Sequence, residues 1–501
     1  MIVQISWDDL RPILPALILM GGALVIVGVD LFRRGDGVRR EILEVLAYIT
    51  LLGAFVDVLV GFQLVPITGF GGAVSFDHLA VGMTVTILAA TAFGVCLANN
   101  LVSSSSIRMA ELLALFLLSA SGMILLVSAQ DLVTLFLALE LMSMAVFVLT
   151  GITRFRTEST EAAMKYFVIG SFASALLLYG FALLYGFSGS VHLDGIARAL
   201  QTQPLTPAAL LGLTLALIGF GFKIGAVPFH SWVPDAYQGA PTAVTAFMSA
   251  GVKAAGFGAL IRFLAEGALA GRAVWFEVLV GLAVVTMLIG NLLAIAQSNL
   301  KRMLAYSSIA HTGYLLIGVC AIGAGHAASA QAVGATTFYL LVYAFMTLGS
   351  FASLILMGVE EITDFEGMAK RRPWSALMMT VFLVSLAGFP PTGGFFAKFF
   401  IFKAALNQPD HHNPAMTWLV VAAVITTVVS VYYYLKPVVA MYFKPSPEGA
   451  SSGETDYGVG ATVVVSAMFT LLLGLAPTLF LRMALTLARE WLAGLPAIVG
   501  G

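Results

Sequence analysis

The hydrophobic positions of this chain fall into long runs rather than narrow stripes, and the polar positions gather in the short stretches between them. A run of about 20 apolar residues matches the roughly 30 Å hydrocarbon core of a bilayer. Fourteen such spans are predicted, near 12–32, 41–64, 77–99, 108–129, 131–151, 161–188, 207–227, 241–265, 273–297, 302–323, 331–358, 374–406, 414–440 and 459–488. Two are interrupted. The seventh ends in KIGAVPFH and the twelfth contains GFPPTGGFFAKFF. The predicted fold class is an all-α polytopic membrane protein of about 14 transmembrane helices.

The composition agrees, being 60% hydrophobic and 10% charged, where soluble domains carry about 25% charged residues. A formal net charge of −1 gives no basis for nucleic-acid binding. Cys96 and Cys320 lie in separate apolar segments without a CxxC or Cys/His spacing. They read as small core residues, neither a disulfide framework nor an iron–sulfur site. The first apolar segment is too long for a signal-peptide core and follows Asp8 and Asp9, so it reads as a retained helix.

Basic residues set the expected orientation, because they favour the inner side. Arg33, Arg34, Arg39, Arg40, Arg108, Arg154, Arg156, Lys165, Lys301, Arg302, Lys370, Arg371, Arg372, Lys436 and Lys444 fall in or beside loops of one side; Arg11, Arg198, Arg262, Arg272, Lys403, Arg482 and Arg489 fall on the other. The expectation is a protein of the bacterial plasma membrane with both termini outside.

The stretch AQDLVTLFLALELMSMAVFVLTG (129–151) aligns without gaps to AQSNLKRMLAYSSIAHTGYLLIG (296–318). Each leads, two spans later, to an interrupted span bearing a lysine. This implies two five-helix repeats, and because five is odd the second enters the membrane from the opposite side. Inverted repeats with broken helices are a transporter architecture. The expected divisions are an N-terminal segment 1–104, repeats 105–266 and 267–441, and a loop with a final helix at 442–501.

Three basic residues belong to neither side and sit within spans: Lys223, Lys253 and Lys398. A charged lysine at the bilayer centre costs about 3 kcal/mol on insertion scales and needs a partner, water or neutrality. Burial disfavours the charged form of an amine and a nearby carboxylate favours it, so an amine under both influences can load and unload a proton near neutral pH. Lys223 precedes a break at Gly225 and Pro228; Lys398 follows one at Pro390, Pro391, Gly393 and Gly394. Carbonyls freed at such breaks are expected to order water. Lys253 lies in MSAGVKAAGFGAL, where Gly251, Gly256 and Gly258 allow close packing and room for water. A snorkelling lysine or a static ion pair is the bland reading of one such residue, but three, two of them beside breaks, strain it. Glu140 in LFLALELMSM is the clearest acidic companion. A pair at about 4 Å in an effective dielectric near 20 is worth roughly 4 kcal/mol, so opening it would release a proton.

His311 in SSIAHTGY is a relay candidate, though a lone histidine among helices is more often a hydrogen-bonded core residue. Lys165 follows Glu161 by one turn, which suggests an interfacial pair. His230 and Asp235 are expected to pin the loop after the first break, and Asp410, His411 and His412 read as a solvated loop. There is no Walker motif, GxGxxG after a strand, haem or cluster ligand set, hydrolase elbow or expected metal site. Energy must therefore come from an ion gradient or from partner subunits.

With PFHSWVPDAYQGAPTAV, LKRMLAYSSIAHTGY and GFPPTGGFFAKF, the chain resembles the antiporter-like membrane subunits of respiratory complex I, relatives of multisubunit sodium/proton antiporters and membrane-bound hydrogenases. The resemblance covers about residues 105 to 441 at motif level. It implies that Glu140 is the span-five glutamate, Lys223 the span-seven lysine, Lys253 the span-eight connector and Lys398 the span-twelve lysine, and that Lys165 matches a span-six lysine. A lysine in span twelve and an end soon after span fourteen separate this chain from members with glutamate there or a long lateral helix. The implied function is proton translocation driven by quinone reduction elsewhere, the alternative a sodium/proton antiporter subunit. NADH, FMN, iron–sulfur clusters and quinone are expected in partner subunits and no cofactor in this chain. The implied partners are other membrane subunits, including neighbouring antiporter-like ones, and the lipid bilayer.

Overall fold

The computed structural model describes residues 6–32, 40–103, 107–408, 414–446 and 456–495. Arg33, Arg34, Arg39, the predicted boundary at 104/105, and Asp410, His411 and His412 lie outside the described residues.

The spans form helices in the predicted order: α1 (Leu14–Phe32), α2 (Arg40–Gly61), then, after an antiparallel hairpin of β1 (Ile67–Gly69) and β2 (Val74–Phe76), α3 (His78–Ser103), α4 (Met109–Ser128), α5 (Leu132–Thr150) and α6 (Thr157–Ser188). A surface helix α7 (Leu193–Thr202) leads to the first broken span, made of α8 (Pro207–Ile224) and α9 (Trp232–Gly239), and to α10 (Thr242–Arg262). Then come α11 (Arg272–Ile295), α12 (Leu300–Cys320), α13 (His326–Met357), the second broken span α14 (Pro373–Ala387) with α15 (Gly393–Leu406), α16 (Pro414–Phe443), α17 (Tyr457–Leu475) and α18 (Pro477–Ala493). Thirteen helical stretches among the described residues are long and apolar enough to span a bilayer. The broken α14/α15 span makes the fourteenth.

The inverted repeats show in the backbone. Asp131 caps α5 through the Thr134 amide, and Asn299 caps α12 through the Arg302 amide; short side-chain acceptors satisfy the free amides of a helix N-terminus. Behind each cap the chain is stapled to a later loop. Leu132 N donates to the Val191 carbonyl at 3.0 Å and Leu193 N to Gln130 at 3.0 Å; in the second repeat Leu300 N donates to Glu360 at 2.7 Å and Ile362 N to Ser298 at 2.8 Å. The matching caps place Asn299 one residue further along than the gapless alignment does, so the repeats register only with a one-residue gap.

Two expectations are corrected. The predicted span 459–488 is two elements, because Pro477 has no amide to donate and disfavours helix at the residue before it; Ala476 sits at φ −124°, ψ 49°. Only α17 is a membrane-length helix. α18 is amphipathic, with Ala484, Ala488, Trp491 and Leu492 buried and Leu479 and Met483 exposed. The glycines of α10 leave no room for water. Every residue from Ala243 to Arg262 is buried, and a Cβ at Gly258 would come within 2.8 Å of Val127 and 3.0 Å of Met83. Helix α10 is the packed axis of the molecule.

The second break depends on a similar approach. A methyl group at Gly394 would overlap the Ser385 carbonyl, whereas nothing lies within 4 Å of a Cβ at Gly186. Gly394→Ala is expected to destabilise the protein by about 1–3 kcal/mol, the usual range for overpacking, and Gly186→Ala to leave it unchanged. Thermal denaturation of the detergent-solubilised protein checks both.

Candidate functional site

The break in the first repeat begins where Gly225 adopts φ +73°, a left-handed conformation that ends a helix at little cost only for glycine. Lys223 therefore lies in the last turn of α8, where the negative end of the helix dipole favours a cation. The freed carbonyls are not left to water, contrary to expectation. Gly221 accepts from Ala226 N at 2.8 Å, Phe222 from Trp232 Nε1 at 3.0 Å and Ile224 from Thr312 Oγ1 at 2.7 Å. Three of the last four carbonyls of α8 are thus taken by protein donors.

The second break reaches the same arrangement from the other side. Gly388 ends α14 at φ +92°, and Lys398, one turn into α15, reaches back across the gap. Its Nζ donates to the carbonyls of Leu386 at 3.0 Å and Ala387 at 3.1 Å. A Cβ at Gly388 would stand 3.3 Å from Lys398 Cδ, so glycine leaves the path open. The two lysines are at unequal positions in the repeats: Lys223 belongs to the last turn of one half-helix, and the Lys398 amine bonds the C-terminal carbonyls of the other.

All three intramembrane lysines are buried: Lys223 is 3% exposed, Lys253 5% and Lys398 4%. Lys223 Nζ donates to Ser143 Oγ at 2.7 Å. Lys253 Nζ donates to the Ser308 carbonyl at 2.5 Å and to Thr312 Oγ1 at 2.9 Å. Since Thr312 in turn donates to Ile224, one hydroxyl joins α10, α12 and the end of α8. A cavity of about 10 Å³, measured for water centres, lies between Lys223 and Lys253, room for a single water. Each amine also faces an aromatic ring: Lys223 lies 5.5 Å from the Phe222 centroid, Lys253 4.9 Å from Tyr343 and Lys398 5.0 Å from Tyr314, within the range of cation–π attraction.

Glu140 is near this row but not bonded to it. Its carboxylate accepts from Ser174 Oγ at 2.5 Å, and no amine lies within 4.0 Å of it among the described residues. Ser143, one turn further along α5, takes the Lys223 bond. Glu140 is also partly exposed on the outer surface of the helix bundle. The structure thus holds the Lys223–Glu140 pair open.

His311 stands between Lys253 and Lys398. Its Nδ1 shares a hydrogen bond with Tyr339 Oη at 2.6 Å and its Nε2 with Tyr434 Oη at 3.1 Å; Tyr434 Oη also bonds Ser307 Oγ. The Tyr314 ring packs edge-on to His311 at 5.8 Å and carries Lys398 on its face. No direct hydrogen bond joins His311 to Lys398 among the described residues.

Residues 129–430 match the family model described as "NADH:quinone oxidoreductase/Mrp antiporter, TM". NADH-quinone oxidoreductase subunit N of Trichlorobacter lovleyi is 41% identical over 495 residues, covering 95% of this chain and 96% of that protein. The chain belongs to the family of NADH-quinone oxidoreductase subunit N. Among solved structures, a chain of respiratory complex I from Thermus thermophilus with bound aureothin superposes with a TM-score of 0.77 at 32% identity, covering 94% of this chain and 99% of that one. A chain of the Mrp complex from Dietzia sp. DQ12-45-1b superposes with a TM-score of 0.82, covering 99% and 100%, but at 21% identity it shows a shared fold alone.

Within this subunit N fold, Lys165 lies apart from the row. It is half-exposed and bonds Glu161 at 2.7 Å, as expected, and also Asp235 at 3.2 Å. Asp235 accepts from Arg302 at 2.9 Å as well, so it pins the loop after the first break and ties α9 to both α6 and α12. His230 Nδ1 has no partner among the described residues, while the His230 side chain hydrogen-bonds the Pro228 backbone within the loop.

Two basic residues assigned to loops are in fact buried. Lys301 is 2% exposed, donating to the Ala240 carbonyl at 2.6 Å and lying 3.6 Å from Glu360. Arg262 is 0% exposed between Asp77 and Glu266. Their carboxylate and carbonyl partners are far away in sequence, apart from Glu266, one turn on. The residues that sequence reasoning missed are the acceptors Ser143, Ser308 and Thr312, the Glu140 donor Ser174, the tyrosines around His311, and Gly388. Only the spacing of Ser308, His311 and Thr312, which puts them on one face of a helix, offered a signal.

Tyr339→Phe would leave His311 Nδ1 buried without a partner, and an orphaned buried polar group costs about 1–3 kcal/mol. The assembled complex is expected to denature at a correspondingly lower temperature, measured by differential scanning fluorimetry.

Proposed function

We propose that the buried lysines carry protons through this subunit, driven by quinone reduction in other subunits of the complex. The observation that carries the reading is the row itself: Lys223, Lys253, His311 and Lys398 lie at membrane depth on breaks, hydroxyls and tyrosines rather than on static carboxylate partners. An amine at a half-helix end is stabilised by partial charges while remaining costly to desolvate, so modest changes nearby can alter its protonation.

In this reading Glu140 and Lys223 form the switchable pair. When Glu140 turns from Ser174 to Lys223 the ammonium is favoured; when it turns away, as here, a proton is free to leave. The water-sized cavity carries it toward Lys253, and Thr312 and Ser308 fix that amine beside both repeats. His311 with Tyr339 and Tyr434 relays toward Lys398, which delivers the proton on the far side. Lys165 and Asp235 position the first break from the inner face and take no proton themselves. The expected orientation puts both termini outside in a bacterial plasma membrane. The redox cofactors NADH, FMN, iron–sulfur clusters and quinone belong to partner subunits, and neighbouring antiporter-like subunits flank Glu140.

The experiment is NADH-driven proton pumping in sealed membrane vesicles carrying Lys223→Ala, with assembly verified on a native gel. The expected result is an assembled complex whose pumping and coupled quinone reduction fall at least several-fold, with no dependence on sodium. Normal pumping by the assembled variant would make Lys223 a structural charge. Pumping that requires sodium would favour the antiporter reading, and loss of assembly as severe as loss of pumping would favour a purely structural role.

A further inference from the structure

The face that carries the N-terminus holds a cavity that the lysine row does not use. It has a volume of about 510 Å³ and opens between the β-hairpin, α7 and α18, with His78, His192, Asp194 and Glu490 among its walls. Asp77 and Glu266, both buried, line its deep end. Arg262 is not in the lining; it lies behind those two carboxylates. Its Nη2 donates to Asp77 Oδ1 at 2.8 Å, its Nη1 to Glu266 Oε1 at 2.6 Å and its Nε to the Val127 carbonyl at 2.8 Å. Trp491 Nε1, from α18, closes the cluster with a 3.0 Å bond to Glu266.

Behind Arg262, α10 runs back nine residues to Lys253, about 13 Å at the rise of an α-helix. Most of that layer is apolar and tight, with Phe257, Leu260 and Ile261 buried and Gly258 packed on Met83 and Val127. It is not wholly apolar. The hydroxyls of Thr84, next to Met83, and of Ser128, next to Val127, are buried without a partner among the described residues. Two such hydroxyls offer footholds for water, and a water file there would connect the cavity to Lys253. A buried guanidinium that remains protonated is the kind of fixed positive charge that excludes protons from a polar path.

We infer that Arg262 is the barrier that stops protons in this cavity from returning to Lys253, with Asp77 and Glu266 holding it in place and Trp491 fixing Glu266. The inference rests on the lysine row being the proton route. Arg262 touches none of the row residues and acts on the route by closing one end of it.

The test uses the assembled complex in sealed vesicles without NADH. A pH step, acid on the face bearing the N-terminus, is imposed and its decay followed with a trapped dye. Arg262→Gln is expected to speed the decay several-fold, Arg262→Lys to keep it slow, and Lys253→Ala added to Arg262→Gln to restore the slow decay. An unchanged decay in assembled Arg262→Gln overturns the inference, as does a fast decay that Arg262→Lys shares and Lys253→Ala does not remove. A second measurement leaves Arg262 in place: a membrane-impermeant maleimide applied from that face is expected to label Thr68→Cys, at the cavity wall, and to spare Thr84→Cys. Labelling of Thr84→Cys, or protection of Thr68→Cys, overturns the inference. If instead the lysine row were not the route, the labelling pattern would stand while the Lys253→Ala suppression would fail.

Discussion

An amine inside a bilayer must be given acceptors by the protein, and this fold supplies them from side-chain hydroxyls for Lys223 and Lys253 and from the carbonyls at a helix break for Lys398. An intact helix offers few free carbonyls to a side chain, because each is bonded one turn on, although Lys253 shares the Ser308 carbonyl within α12. Ending a half-helix at a left-handed glycine exposes its last carbonyls and its negative dipole end at membrane depth. Lys223 lies within such an end, two residues before Gly225, and takes its acceptor from Ser143 on α5. Lys398 uses one from outside, through the Leu386 and Ala387 carbonyls. The sequence positions differ and so do the acceptors, but both lysines lie beside the end of a half-helix.

That solution constrains everything around it. Carbonyls not used by a lysine must be bonded by something else, so Trp232 and Thr312 are committed to Phe222 and Ile224. Thr312 then serves twice, accepting from Lys253 while donating to the first break. Helix α12 belongs to the second repeat and the first break to the first, so this one hydroxyl links polar groups of the two repeats. The buried axis α10 needs its glycines to let α3 and α4 close on it.

Much of this was legible in the sequence, and the boundary has physical causes. Apolar run length gave the spans, and Gly and Pro gave the breaks, because both signals are local. Lys223, Lys253 and Lys398 stood out because a charge in an apolar run is conspicuous. Their acceptors did not, since Ser143 is 80 residues from Lys223 and Thr312 59 residues from Lys253, and both are common residue types in such helices. Arg262 and Lys301 looked like loop residues because they lie at span ends, yet tertiary partners bury both. Pro477 was overlooked because the flanking residues are apolar enough to hide a helix end, and the one-residue gap between repeats is visible only from their caps.

The central claim is that the lysines of the two repeats lie in series on one path. A double-mutant cycle on NADH-driven proton pumping tests it most directly, comparing Lys223→Ala, Lys398→Ala and both together in the assembled complex. In a series path either change blocks the same flow, so the double variant should pump no less than the worse single variant. If the two losses instead multiply, the lysines act independently and the continuous row does not carry the protons.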